Sequence, residues 1–218
     1  MEQDIVFEER EEAGRLLGEE LAARGFRRAV VLAIPRGGVV VGRVVADILD
    51  APLDVVVPRK IRAPNNPELG LGAVAPGVTF LDHHLIGALG VPQHYLEKEI
   101  EAELREVERR STLYREGRVG VDLTDRTAIV VDDGIATGGT AIAALRWARA
   151  QDIAGVVMAA PVAPVPVRSR LEPYADEIVI LSQPHAFYAV GQFYRDFTQV
   201  SDDEVVRQMS EAASRRAS

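Results

Sequence analysis

Residues 128–140 read AIVVDDGIATGGT. The run from Ala128 to Val131 is small and apolar, as expected of a buried strand. It ends on two adjacent aspartates, Asp132 and Asp133, and a Gly/Thr loop follows at once. That loop opens a helical stretch, GTAIAALRWARA (Gly139 to Ala150). Backbone N–H groups at a helix start have no internal partner, and the helix dipole is positive there. Ala136, Thr137, Gly138, Gly139 and Thr140 therefore form a seat for a phosphate. Glycines let the backbone come close, and the threonine hydroxyls add donors. Two neighbouring carboxylates suit the vicinal hydroxyls of a ribose, directly or through a divalent cation. An Asp-Gly turn or a threonine cap alone is common. Strand, acid pair, loop and helix in this order predict a ribose 5-phosphate grip.

Working outward, short apolar strands alternate with helical patterns. A first helix is expected over Glu8 to Arg24, with Ala13, Leu16, Leu17 and Leu21 on one face. Strands follow at Arg28 to Ile34, Leu53 to Pro58, Thr127 to Asp132, Ala154 to Val162 and Glu177 to Pro184. Helices are expected at Val39 to Leu49, Gly139 to Ala150 and Val165 to Glu172. The Arg59–Gly72 segment is polar and Pro-rich and reads as a loop. Ala73 to Leu81 reads as a strand or hairpin. Gln93 to Arg115 forms a charged helix with one apolar stripe, Leu96, Ile100, Leu104, Val107 and Tyr114. This predicts an α/β fold: a five-stranded, mainly parallel sheet with helices on both faces. Residues 1–80 and 127–184 form the core. Residues 81–126 form a helical insertion that acts as a hood, and residues 185–218 complete it. Ligands in such sheets bind beyond the carboxyl ends of the strands, where both the acid pair and PRGG (Pro35 to Gly38) fall.

The 218 residues carry no cysteine, so neither a disulfide framework nor a thiolate site is expected. The formal net charge of −8 argues against broad nucleic-acid binding. No apolar run reaches the roughly 18–20 residues of a membrane span, and MEQDIVFEER has no signal-peptide core. A cytoplasmic protein without nucleic-acid or membrane partners is the expectation.

DDGIATGGT resembles the phosphoribosyl pyrophosphate (PRPP) signature of type I phosphoribosyltransferases, and IPRGG after the first strand resembles that family's pyrophosphate loop. Arg59–Gly72 lies where the family has its flexible active-site loop. The resemblance implies transfer of ribose 5-phosphate from PRPP to a small nitrogen-base acceptor, with Mg²⁺ as cofactor and release of pyrophosphate. It assigns the ribose hydroxyls and the metal to Asp132 and Asp133 and the 5-phosphate to Ala136–Thr140. Pyrophosphate falls to Arg36, Gly37 and Gly38, with Arg59, Lys60 and Arg195 as further contacts. Arg36, Lys60 and Asp133 are the catalytic candidates. A cis peptide is expected between Arg36 and Gly37. The family's 6-oxopurine members carry an acidic general base where this chain has Ala136, so the ATGGT form is closer to adenine-type members. Glu68 is an alternative carboxylate.

Two further expectations concern weaker signals. Asp82, His83 and His84 read as a capped helix start rather than a metal site. The Gln93–Arg115 helix is open to a role in the hood or in a homodimer. A second functional class, a non-catalytic sensor of PRPP, would use the same grip. It would need no lid to exclude water.

Overall fold

The computed structural model describes residues 6–26 and 28–217, without the side chains of Glu68, Arg216 and Ala217. Five parallel strands form the central sheet: β1 (Ala29–Ala33), β2 (Leu53–Val55), β6 (Thr127–Val131), β7 (Gly155–Val162) and β8 (Glu177–Ser182). Their order is β2-β1-β6-β7-β8. Side chains alternate between the faces with period two. Val31, Ile129, Val157 and Val179 join one core with Leu17 and Leu21 of α1 (Arg10–Ala23), Val41 of α2 (Gly37–Ile48) and Val205 and Met209 of α7 (Asp202–Ala217). Val30, Leu32, Val130, Met158 and Ile178 join the opposite core with Ile142 and Leu145 of α5 (Gly139–Arg149) and Leu171 of α6 (Val165–Leu171). Two covered faces explain why the strands read as continuous Val/Ile/Ala runs rather than alternating polar and apolar.

Arg59–Gly72 departs from the expected loop. It forms β3 (Arg59–Ala63) and most of β4 (Asn66–Ala75), which with β5 (Val78–Leu81) make a separate antiparallel sheet in the order β3-β4-β5. Three long polar residues in β3 masked its period. Ile61 and Ala63 are buried, whereas Arg59, Lys60 and Arg62 are partly exposed. Asn65, at φ 65°, sits in the tight connection. Ile61, Leu71 and Val74 pack with Leu85 and Ile86 of α3 (His83–Leu89) and with Leu96 and Val107 of α4 (Gln93–Arg115). Ala73 and Ala75 of β4 lie against Ala143 of α5, which seats this sheet beside the helix that follows the Gly/Thr loop.

Helix α4 keeps its predicted bounds. Its 23 residues extend about 34 Å and join the two sheets. Leu96 and Val107 belong to the small sheet's core, and Tyr114 belongs to the core of the large one. Asp82 caps α3 by accepting the Leu85 N–H at 2.9 Å, as the sequence indicated. No helix among the described residues is long and apolar enough to cross a membrane.

Candidate functional site

Strand β6 delivers the acid pair to the carboxyl edge of the parallel sheet. Asp132 follows Val131 directly, and its Oδ1 accepts the N–H of Asp133 at 2.9 Å. Burial, and secondarily the neighbouring Asp133, push the Asp132 carboxyl well above the usual carboxylate range. Asp133 is held differently. Its Oδ2 accepts from Arg10 Nε at 2.8 Å, and its backbone carbonyl accepts from the Tyr194 hydroxyl at 2.6 Å. Burial raises the Tyr194 pKa, so this tyrosine is a neutral donor.

PRGG lies against the acids. A β-carbon on Gly37 would come within 1.8 Å of Asp133 Oδ2, and one on Gly38 within 2.9 Å of the Asp132 Cα. Only glycine lets α2 begin this close to the end of β6. The cis peptide is Pro35–Arg36, one bond before the expected Arg36–Gly37. The Arg36 guanidinium stands 3.7 Å from Asp202, beyond hydrogen-bond distance. Asp202 in turn accepts the Tyr114 hydroxyl at 2.7 Å.

The Gly/Thr loop forms the second half of the site. Gly138 is the N-cap of α5 at φ 84°, in the left-handed region that suits glycine. No side chain caps this helix start. Ala136 and Thr137 are exposed. Ala136–Thr140 line a cavity of about 490 Å³ with Lys60 of β3, Asp82, Arg170 and Tyr188. Gly134, the residue after Asp133, lines the same cavity and joins the two halves.

The structure thus brings together Asp132, Asp133, Gly37 and Gly38 at one point, and Ala136–Thr140 with Lys60 at another. Two candidates have other partners. Arg59 donates to Glu103 of α4 at 2.7 Å, and Arg62 pairs with the other oxygen of the same buried carboxylate at 2.5 Å. Arg195 pairs with Glu8 at the surface, its side chain 70% exposed. The Glu68 side chain lies outside the described residues. Trp147 is partly buried against β4 and the core around α5.

Sequence reasoning missed Arg10 and Asp202. Arg10 is separated from Asp133 by 123 positions, and nothing in EEREE marks it off from the other arginines of the chain. Asp202 was hidden in an acidic helix start.

A family model described as Phosphoribosyl transferase domain matches residues 6–198. The Mycobacterium tuberculosis proteins MT0597 and Rv0571c, each named provisionally as a phosphoribosyl transferase, are 46% identical over 202 residues. The match takes in 92% of this chain and 46% of theirs, so the chain spans about half the length of these curated relatives. The crystal structure of TT1426 from Thermus thermophilus is 41% identical, with a TM-score of 0.80 over 95% of this chain and 99% of its own. A hypothetical protein from Neisseria gonorrhoeae, solved with bound ppGpp, shares the fold at 16% identity. Its TM-score is 0.55, over 97% of this chain and 98% of its own. With its residues 6–198 matched, this chain belongs to the phosphoribosyl transferase domain family.

Proposed function

We propose that this protein transfers ribose 5-phosphate from PRPP to a small nitrogen-base acceptor and releases pyrophosphate. One observation carries the reading. An uncapped helix start with exposed Ala136 and Thr137 lines a cavity, and the residue next to the acid pair lines it too. A phosphate seat and a diol seat on one strand-to-helix connection match a phosphorylated ribose.

In this reading the Ala136–Thr140 amides hold the 5-phosphate and the acid pair orients the ribose hydroxyls. Arg36, loosely held at Asp202, turns to the departing pyrophosphate. Lys60 reaches into the cavity from β3 as a second cation. The hood in this reading is the β3-β4-β5 sheet with α3 and α4, which starts before the expected residues 81–126, while α7 of the expected 185–218 part packs in the core of the parallel sheet instead. Arg59 and Arg195, paired with Glu103 and Glu8, are given no role in this reading.

The carboxylates fit a Mg²⁺ shared with the substrate rather than a protein cage. Among the described residues there is no group of three or more His, Cys, Asp or Glu side chains able to hold a metal. Mg²⁺ is commonly held by one or two carboxylates together with substrate phosphates. Asp132 and Asp133 would hold it, and when bound it would offset charge on the pyrophosphate.

The test is a screen of nucleobases with labelled PRPP and Mg²⁺, read as pyrophosphate release and nucleotide formation, with ppGpp added as a competitor. Product with one base class supports the reading. Tight PRPP binding with no product from any base replaces it with the sensor reading. No PRPP binding in calorimetry removes both.

A further inference from the structure

Arg10 is the first residue of α1, where the helix dipole disfavours a cation. It is nevertheless buried, with 8% of its surface exposed. Buried charge is tolerated only when paired and hydrogen-bonded, and Arg10 has three compensations. Its Nε donates to Asp133 Oδ2 at 2.8 Å, its Nη1 donates to the Thr198 carbonyl at 2.9 Å, and its guanidinium lies 3.9 Å from the centre of the Phe197 ring. The same carboxylate oxygen sits where a Gly37 β-carbon would be, and that β-carbon would also stand 2.8 Å from Arg10 Nε. Helix α1, the PRGG loop, the C-terminal segment and the end of β6 therefore meet at one ion pair. Among the described residues no cation stands within ion-pair distance of Asp132, which bonds to the amide and side chain of Asp133 and feels Arg10 only through its charge.

On the ribose-grip reading above, we propose that Arg10 is a positioning residue that divides the labour of the acid pair. It fixes Asp133 against the PRGG loop through one carboxylate oxygen, so that Asp133 offers the ribose a preset acceptor, and leaves Asp132 as the carboxylate that the ribose hydroxyls must order. The two adjacent aspartates are then chemically unequal. One is fixed by the protein before the sugar arrives, and the other is held chiefly by the sugar.

The experiment is calorimetry of wild type, Arg10→Met, Arg10→Lys, Asp132→Asn and Asp133→Asn with ribose 5-phosphate and, separately, with inorganic phosphate. Thermal melts accompany each. Arg10→Met is expected to weaken ribose 5-phosphate binding by about 10-fold or more, the usual effect of removing a residue that orients a ligand group. Phosphate binding should stay near wild type, because the Gly/Thr loop is untouched. Arg10→Lys should recover most of the loss. Asp132→Asn should abolish sugar binding, and Asp133→Asn should weaken it only as far as Arg10→Met does. Wild-type sugar binding in a folded Arg10→Met overturns the inference alone. So does parallel loss of sugar and phosphate in both Arg10 variants, which marks a merely structural role. Should Arg10→Met not fold, the Asp132/Asp133 asymmetry decides, and equal losses overturn the inference. A wild type that binds phosphate but no ribose 5-phosphate removes the underlying reading as well.

Discussion

The two sheets of this molecule are built on opposite plans. The parallel sheet is sealed on both faces, and β1 and most of β6 have no exposed residue. The antiparallel sheet is small, carries glycines and two register shifts between β3 and β4, and is pinned from one side by α4. A sealed sheet has one outlet for function, the turns at its carboxyl edge, and the acid pair and Gly/Thr loop occupy it. The small sheet contributes Lys60 from a strand whose neighbouring arginines are tied to Glu103. Two packing plans thus meet beside the cavity, with α4 as the strut between the sheets.

Ile129→Ala should do the most damage to this division. Ile129 is fully buried in the middle of β6, in the core shared with α1 and α2. A truncation there should lower stability by about 2–5 kcal/mol, read as a shift in urea midpoint. All regions should lose stability together, because the sheet is one cooperative unit.

Glu103→Gln should widen the difference between the sheets. It removes the charge that holds Arg59 and Arg62. Since both arginines are partly in solvent, the expected loss is about 1–2 kcal/mol. Hydrogen exchange should quicken in β3 and β4 while β6 amides stay protected. Equal quickening in both sheets would show that they are not separable.

Tyr114→Phe probes the strut. Burial, with help from the Asp202 hydrogen bond, pushes the Tyr114 hydroxyl up to about 12 from its ordinary 10.0. A raised folded-state pKa gives stability that is whole below pH 10 and lost as pH climbs towards 12. The variant should lose about 1 kcal/mol at neutral pH and lack that part of the alkaline decline.

Asp132→Asn should act on stability with the opposite sign. Its carboxyl is pushed upward by burial and by Asp133, so its ionised form opposes folding above the ordinary carboxylate range. The amide should raise the melting midpoint at neutral pH while sugar binding disappears. In the wild type, sugar affinity should fall as acid protonates Asp132, at a higher pH than an exposed aspartate would require.

Much of this was legible along the chain. The five parallel strands announced themselves by β-branched runs, and α4 by its apolar stripe. The acid pair and Gly/Thr loop form one continuous stretch, so their place at the end of β6 and the start of α5 could be read locally. The small sheet was harder to read. Its first strand shows three charged residues, Arg59, Lys60 and Arg62, and both arginines depend on Glu103 more than 40 positions later. Pattern alone did not distinguish Lys60, which lines the cavity, from Arg59, which does not.

The order of residues along the chain was enough to settle the parallel α/β core and the residue types at its edge, because burial on two faces and helix starts after strands leave periodic, local traces. Three-dimensional packing settled which charges line the cavity and which are paired with one another. Arg10 reaches Asp133, Glu103 gathers two arginines, and Asp202 stands near Arg36. Ion pairing is a matter of a few ångströms in space and leaves no period in the chain, so only the fold could assign it.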